Sequence, residues 1–272
     1  MVDALTQRVP TDSQESRVAR LCRVRRPGFL AFVLVFGPGA VALSRPHYTI
    51  EPLAEPAPKD EVSKEILALL EPVGLRIVDR KKAPYLDVWL VRRLAVEEPT
   101  QQTGVLYGHI PEGSVLGVLR LHARQSDFRG DRLPAGVFTL RNAIQPQDGE
   151  HLGVSESRDF VLLAPAKVDT SPDPLRTRDI VKLSVRASGT KHPSMLYLIR
   201  LAGEPKGLPR IVEQEDLEYQ ILDCEVRNLP IAKREPTADG AAQSPETTSG
   251  DADSAAKPVR LSIVIEGEAS EL

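Results

Sequence analysis

Short apolar runs, most of them alternating with polar residues at a period of two, recur along this chain, and an extended strand is the structure that turns such a run into one buried face. GLRIVD (74–79), YLDVWLVRRLAV (85–96), RDFVLLAPA (158–166), MLYLIRL (195–201), LEYQILDCEV (217–226) and VRLSIVIEGE (259–268) read this way. LPAGVFTLRNAI (133–144) is a turn running into a further strand, and GVLYGHIPEGSVLGVLRLHA (104–123) reads as a hairpin turning at Pro111, Glu112, Gly113 and Ser114. The 23 prolines and an aromatic content of only 4% suit a turn-rich β protein better than a helical one. Trp89, the single indole, is expected in the core.

Two segments carry a helical period. In DEVSKEILALLEP (60–72), Val62, Ile66, Leu69 and Leu70 share a face, with Asp60 as N-cap and Pro72 as stop. The stretch 174–188 is ambiguous. Val181, Leu183 and Val185 alternate like a strand, whereas Leu175, Ile180, Leu183 and Ala187 approximate a helical face ending at Gly189, and helix is the preferred reading. The sum predicts a mainly β fold, α+β at its margin: an antiparallel β-sandwich of short strands with one or two flanking helices.

The expected organisation is a signal peptide or N-terminal membrane anchor over 1–44, an extended linker over 45–59 and the β-sandwich domain over 60–232. A disordered acidic loop follows over 233–257, and 258–272 supplies a C-terminal strand of the same domain and a tail. RLCRVRRPG followed by FLAFVLVFGPGAVALS has the cationic and apolar regions of a secretory signal, with small residues at Ala40, Ala42 and Ser44 for cleavage. A retained inner-membrane anchor over 28–44 is the alternative, although the run is short for a span and is interrupted by Gly37, Pro38 and Gly39. The predicted location is therefore exported, in the periplasm or cell envelope. The tract 233–257 has no apolar periodicity and too little apolar surface to offset its ordering entropy.

Loss of Cys22 with a signal would leave Cys224 as the sole thiol, read as a buried structural cysteine. The formal net charge is −3, and six arginines lie in the first 44 residues, so the remainder is more acidic and carries no basic surface for nucleic acid. A membrane contact is expected only through an uncleaved N-terminal segment.

Between the strands at 138–144 and 159–165 lies QPQDGEHLGVSESR (145–158), far longer than a hairpin needs. Loops of this length are commonly functional or packed on themselves. AGVFTLRNAIQPQDGEHLGVSESRDFVLLAPAKVD, together with ASGTKHPSMLYL, resembles an uncharacterised family of exported bacterial β-rich proteins. That family shares a QP-x-DG-x-H-x-G loop, a DF-x-LL strand and an SG-T-x-HP segment. The resemblance covers roughly residues 60–225 and implies secretion and a common fold, with no activity attached.

The candidate binding residues are Asp148, His151 and His192, converging on a small polar ligand or a metal. The competing reading has the loop side chains bonding their own backbone. His109 and His122 fall about 20 Å apart by strand rise and cannot share a metal. His151 and His192 remain, with Asp148, Glu150 or Asp127, but neither HExxH nor paired CxxC is present, and no cofactor is predicted. There is no G-x-S-x-G elbow, P-loop or G-x-G-x-x-G cradle. The functional expectation is a non-catalytic binding or structural module of the bacterial cell envelope, serving an envelope component or a small polar ligand. The alternative is a metal-dependent or acid–base enzyme using the 145–158 loop.

Overall fold

The computed structural model describes residues 47–99, 101–147, 155–230 and 257–269. The expected signal segment, Asp148, Glu150 and His151, and the 233–257 tract apart from Lys257 lie outside them.

The alternating runs become strands: β1 (Tyr48–Leu53), β2 (Gly74–Asp79), β3 (Pro84–Leu90), β4 (Arg93–Val96), β5 (Val115–Leu121), β6 (Gln125–Ser126), β7 (Arg132–Leu133), β8 (Gly136–Ile144), β9 (Asp159–Pro165), β10 (Met195–Ile199), β11 (Arg210–Gln214), β12 (Tyr219–Pro230) and β13 (Val259–Glu266). One sheet runs in the order β1-β2-β3-β5-β8-β9-β10-β13-β12-β11, with β4 beside β12 and β6-β7 as a separate ribbon. Every step along that order is antiparallel, whereas β4 pairs with β12 in parallel. The fold is mainly β, as the periodicity predicts.

The sheet is rolled. Tyr85 on β3 donates its hydroxyl to the Ile265 carbonyl on β13, 3.4 Å away, although four strands separate them in the order. His47, just ahead of β1, meets Glu213 of β11 at the opposite edge. The walls that face each other across the core thus belong to one curled sheet. Its inner face is aliphatic: Ile77, Val88, Leu119, Leu140, Leu163, Leu198, Leu222 and Ile263 all belong to one buried cluster. Each such side chain contributes roughly 1.5–3 kcal/mol by leaving water.

The stretch expected as a free linker, 45–59, holds β1, which pairs with β2 from Tyr48↔Asp79 to Leu53↔Gly74. Beyond β1 the chain crosses the outer face, where the Trp89 indole donates to the Glu55 carbonyl at 2.8 Å. Val62, Ile66 and Leu70 are buried as expected, but the α-helix α1 spans only Lys64–Leu67, with Ser63 as its N-cap. A turn closes before it, Val62 N–H donating to the Pro58 carbonyl at 3.0 Å, and Leu70 leaves it to bridge Val91.

The predicted hairpin over 104–123 is corrected as well. Its second half is β5, but that strand pairs with β3 and β8, and the first half is a loop whose Tyr107 and Ile110 are buried. Docking of these two side chains outweighs local pairing. The ambiguous 174–188 stretch is the helix α2 (Thr177–Ser188), which buries Ile180, Ser184 and Ala187 and ends at left-handed Gly189 (φ 72°). β13 lies between β10 and β12, so the C-terminal run does return to the sheet.

Candidate functional site

Charged residues in the middle of strands have structural partners. On the outer face Arg76, Asp87 and Arg120 stand opposite one another on β2, β3 and β5. Fully buried Asp87 accepts from Arg76 Nε at 2.8 Å and Arg120 Nε at 2.9 Å, with His122 Nε2 also 2.9 Å away. Asp223 repeats the arrangement with Arg260 (2.7 Å), Arg210 (2.9 Å) and the Ser262 hydroxyl (3.0 Å). Burial alone would raise both carboxyl pKa values, but the arginine hydrogen bonds prevail and hold both below the ordinary carboxylate range. Asp127 differs. Burial raises it to about 6 even though the amides of Arg129, Asp131 and Met195 all donate to it. Asp87 and Asp223 thus tie neighbouring strands together, and Asp127 holds its own turn against the start of β10.

The long loop is held firmly at its stems. The Gln145 amide donates to the Arg158 carbonyl and the Arg158 amide to the Gly104 carbonyl, each at 2.8 Å, and the Arg158 guanidinium donates to the Gln145 carbonyl at 2.8 Å. Asp159 accepts from the Leu106 and Tyr107 amides at 2.7 and 2.9 Å. Asp148 and His151 lie outside the described residues. His192 is exposed on the turn between α2 and β10. That turn adjoins the C-terminal end of β9, whereas the loop's second stem enters at the N-terminal end of β9. The rise of that strand, about 20 Å for its length, separates His192 from the stem. His109 and His122 likewise sit at opposite ends of β5 and its preceding loop, His109 near the Tyr107 ring.

A larger feature occupies the end of the rolled sheet where β1 begins and β11 and β13 finish. Here Glu213 and Gln220 face each other across β11 and β12, two residues beyond core-facing Ile211 and Leu222. They open a cavity of about 1050 Å³. Its wall carries Glu213, Glu215, Asp216, Glu218, Glu266 and Glu268, against Arg124 and His47. Glu215, Asp216 and Leu217 form a single 3-10 turn that projects the exposed rim. Gly267, with φ 142°, lets the chain between Glu266 and Glu268 pass the Tyr219 ring, which a Cβ would meet at 2.5 Å.

Glu213 Oε1 lies 2.5 Å from Nδ1 of exposed His47. Gln220 is 5% exposed; its side-chain nitrogen lies 3.3 Å from His47 Nδ1, and its side-chain oxygen, which has almost no accessible surface, has no hydrogen-bond partner. Burial, together with a hydrogen bond to Glu266, raises the Tyr48 phenol far above its ordinary range, and burial followed by the Glu266 charge raises Tyr85. Both phenols are therefore neutral, and the charge of the mouth is that of its carboxylates.

Smaller recesses of about 240 Å³ lie toward the other end, one lined by Tyr107, His109, Arg200, Lys257 and Arg260. Arg260 is already engaged by Asp223 and by the Leu201 and Gly203 carbonyls. Among the described residues no three His, Cys, Asp or Glu side chains are grouped to hold a metal ion, and no helix is long and apolar enough to cross a membrane.

The acidic mouth has a sequence signal that period-two reading passes over: EQEDLE at 213–218 and EGE at 266–268. Only the pairing of β12 with β13 brings the two together. Comparison with family models, curated proteins and solved structures finds no match to this chain.

Proposed function

We propose that this protein is an exported, non-catalytic binding module of the bacterial cell envelope, and that its ligand is cationic and enters the acidic mouth of the rolled sheet. The observation that carries the reading is the cavity of about 1050 Å³ with six carboxylates on its wall. Pockets of roughly 300–1,000 Å³ with a few convergent polar groups are the usual form of a ligand site. The potential of six acids in a concave wall concentrates cations and excludes anions. Export is supported by the cationic and apolar succession before Ser44 and by the resemblance to exported bacterial proteins.

Binding is tested with fluorescent polylysine and polyglutamate. Polylysine binds, weakening as salt rises, and the double variant Glu213→Gln/Glu266→Gln loses at least tenfold in affinity at an unchanged melting temperature. Equal binding of both polymers, or equal affinity in the variant, overturns the assignment. Export is tested by N-terminal sequencing of protein recovered from its native cell: a chain starting near Arg45 is expected, and an intact cytosolic chain refutes it.

A further inference from the structure

We infer that the outward face of α2 is a membrane-surface site, which lays Arg178, Lys182 and Arg186 on the phosphates of an anionic lipid bilayer with Val185 at the headgroup boundary. The helix is fixed to the sheet by its other side. Ile180 packs with Ala143 of β8 and Leu162 of β9, and the buried Ser184 hydroxyl donates to the Ser194 carbonyl at 2.8 Å. At 3.6 residues per turn, Arg178, Lys182 and Arg186 fall within an arc of about 80° opposite the buried Ile180, Ser184 and Ala187. All three basic residues are exposed.

Charge names the partner. Residues 176–191 hold five Lys and Arg side chains against Asp179 alone, a face that the formal net charge of −3 conceals. Asp179 lies 3.1 Å from Arg176 and 3.8 Å from Arg178. Among the described residues no ion pair engages Lys182, Arg186 or Lys191. A rigid line of cations about 12 Å long, from Arg178 to Arg186, meets a flat anionic surface along its whole length.

An apolar side chain on the same arc is the second observation. Val185 lies about 20° around the helix from Arg178, on the side turned away from the sheet. It is half-buried, so part of it faces water beside the cations. Cations and apolar atoms on one helix face fit the bilayer interface, where charges meet headgroups and apolar atoms reach the acyl boundary. A nucleic-acid backbone meets the charges and leaves the valine without a partner. With 12 residues, α2 lies on the surface and does not span it. The site is separate from the acidic mouth, and refuting either leaves the other standing.

The test is made in the full chain carrying Cys22→Ser and Val185→Cys, labelled with a nitrobenzoxadiazole fluorophore. Cys224 does not compete for the label, being 1% exposed with its thiol pushed up to about 12 by burial. The label reports on α2 itself, whatever the N-terminal segment does. Vesicles of roughly one-third phosphatidylglycerol in phosphatidylcholine are expected to move its emission to the blue, and phosphatidylcholine alone is not. High salt reverses the shift. Each Lys or Arg near an anionic surface strengthens binding about fivefold, so Lys182→Glu/Arg186→Glu needs at least tenfold more anionic lipid for the same shift. Lys182→Arg/Arg186→Lys needs no more than the parent. A label on Lys206→Cys, in an exposed loop, stays unmoved. Melting temperature establishes that the variants are folded, and Lys182→Gln/Arg186→Gln replaces the reversal should it not be.

An equal shift on neutral and anionic vesicles overturns the inference, as does an unchanged lipid requirement in the folded charge variants. A shift as large with double-stranded DNA or polyglutamate at equal anionic charge overturns the bilayer in favour of that partner.

Discussion

Arg141 is wholly buried in the middle of β8, and all five of its N–H groups find acceptors. Nε and one Nη donate to the Asp169 carboxylate at 2.7 Å each, and the others reach the carbonyls of Gly113, Asp173 and Ser171 at 2.7, 2.9 and 2.6 Å. One side chain thus ties two loops to a strand. Replacing it with Met leaves Asp169 buried against Thr139 alone among its side-chain partners, and loss of one member of such a pair costs about 3–5 kcal/mol. The double variant Arg141→Met/Asp169→Leu is expected to recover most of that loss in urea unfolding. A single-variant cost below about 1 kcal/mol refutes this reading. The pH dependence follows from Asp87 and Asp223. Both have folded values below the unfolded value of about 3.9, so their stabilisation is present above that pH and is lost as pH falls through the folded values. Asp127 runs the other way: with a folded value of about 6, its contribution is complete below about pH 4 and disappears as pH rises through 6. Urea midpoints should therefore rise as pH falls from about 7 to 4, as Asp127 takes up its proton, and drop below pH 4. In Asp87→Asn the midpoint should be lower at neutral pH and the acid drop smaller. An acid drop of unchanged size in Asp87→Asn refutes the assignment.

At the scale of elements, β13 is the most consequential strand, because it is last in sequence yet lies between β10 and β12. It contributes Leu261, Ile263 and Ile265 to the inner core. A specific protease site placed between Pro230 and Lys257 should therefore yield two pieces that co-elute under native conditions and separate only in denaturant. Native release of the C-terminal piece defeats this. The strand itself was legible in its alternation, as were β2, β3, β8, β9, β10 and β12, and Gly189 correctly marked the end of α2. Elements set by long-range docking were not. β1 was hidden among prolines, and its pairing is with β2, across α1. Residues 104–114 had strand-like composition, but Tyr107 sends its hydroxyl to the Ile199 carbonyl at 2.6 Å, a contact no local pattern encodes.

The molecule as a whole is a rolled sheet with an aliphatic interior, with Asp87 and Asp223 on its outer face paired with arginines and a cluster of acids gathered at one end. The outer acids were visible as charges inside apolar runs, Asp87 in YLDVWL and Asp223 in ILDCEV, and such a residue in a buried strand demands a partner. The mouth was not visible, because Glu213 and Glu266 become neighbours only through the β11-β12-β13 order. If the roll opens as one unit, Cys224 reports it. This thiol is 1% exposed, within the inner core between Leu222 and Val226, and burial pushes its pKa to about 12. Attack by a disulfide reagent needs both access and a thiolate, so it should require global opening. In a Cys22→Ser chain, the labelling rate of Cys224 at low urea should rise with the same denaturant slope as equilibrium unfolding. A rate independent of urea shows instead that β12 frays locally, and that the wall bearing Gln220 opens separately from the rest of the sheet.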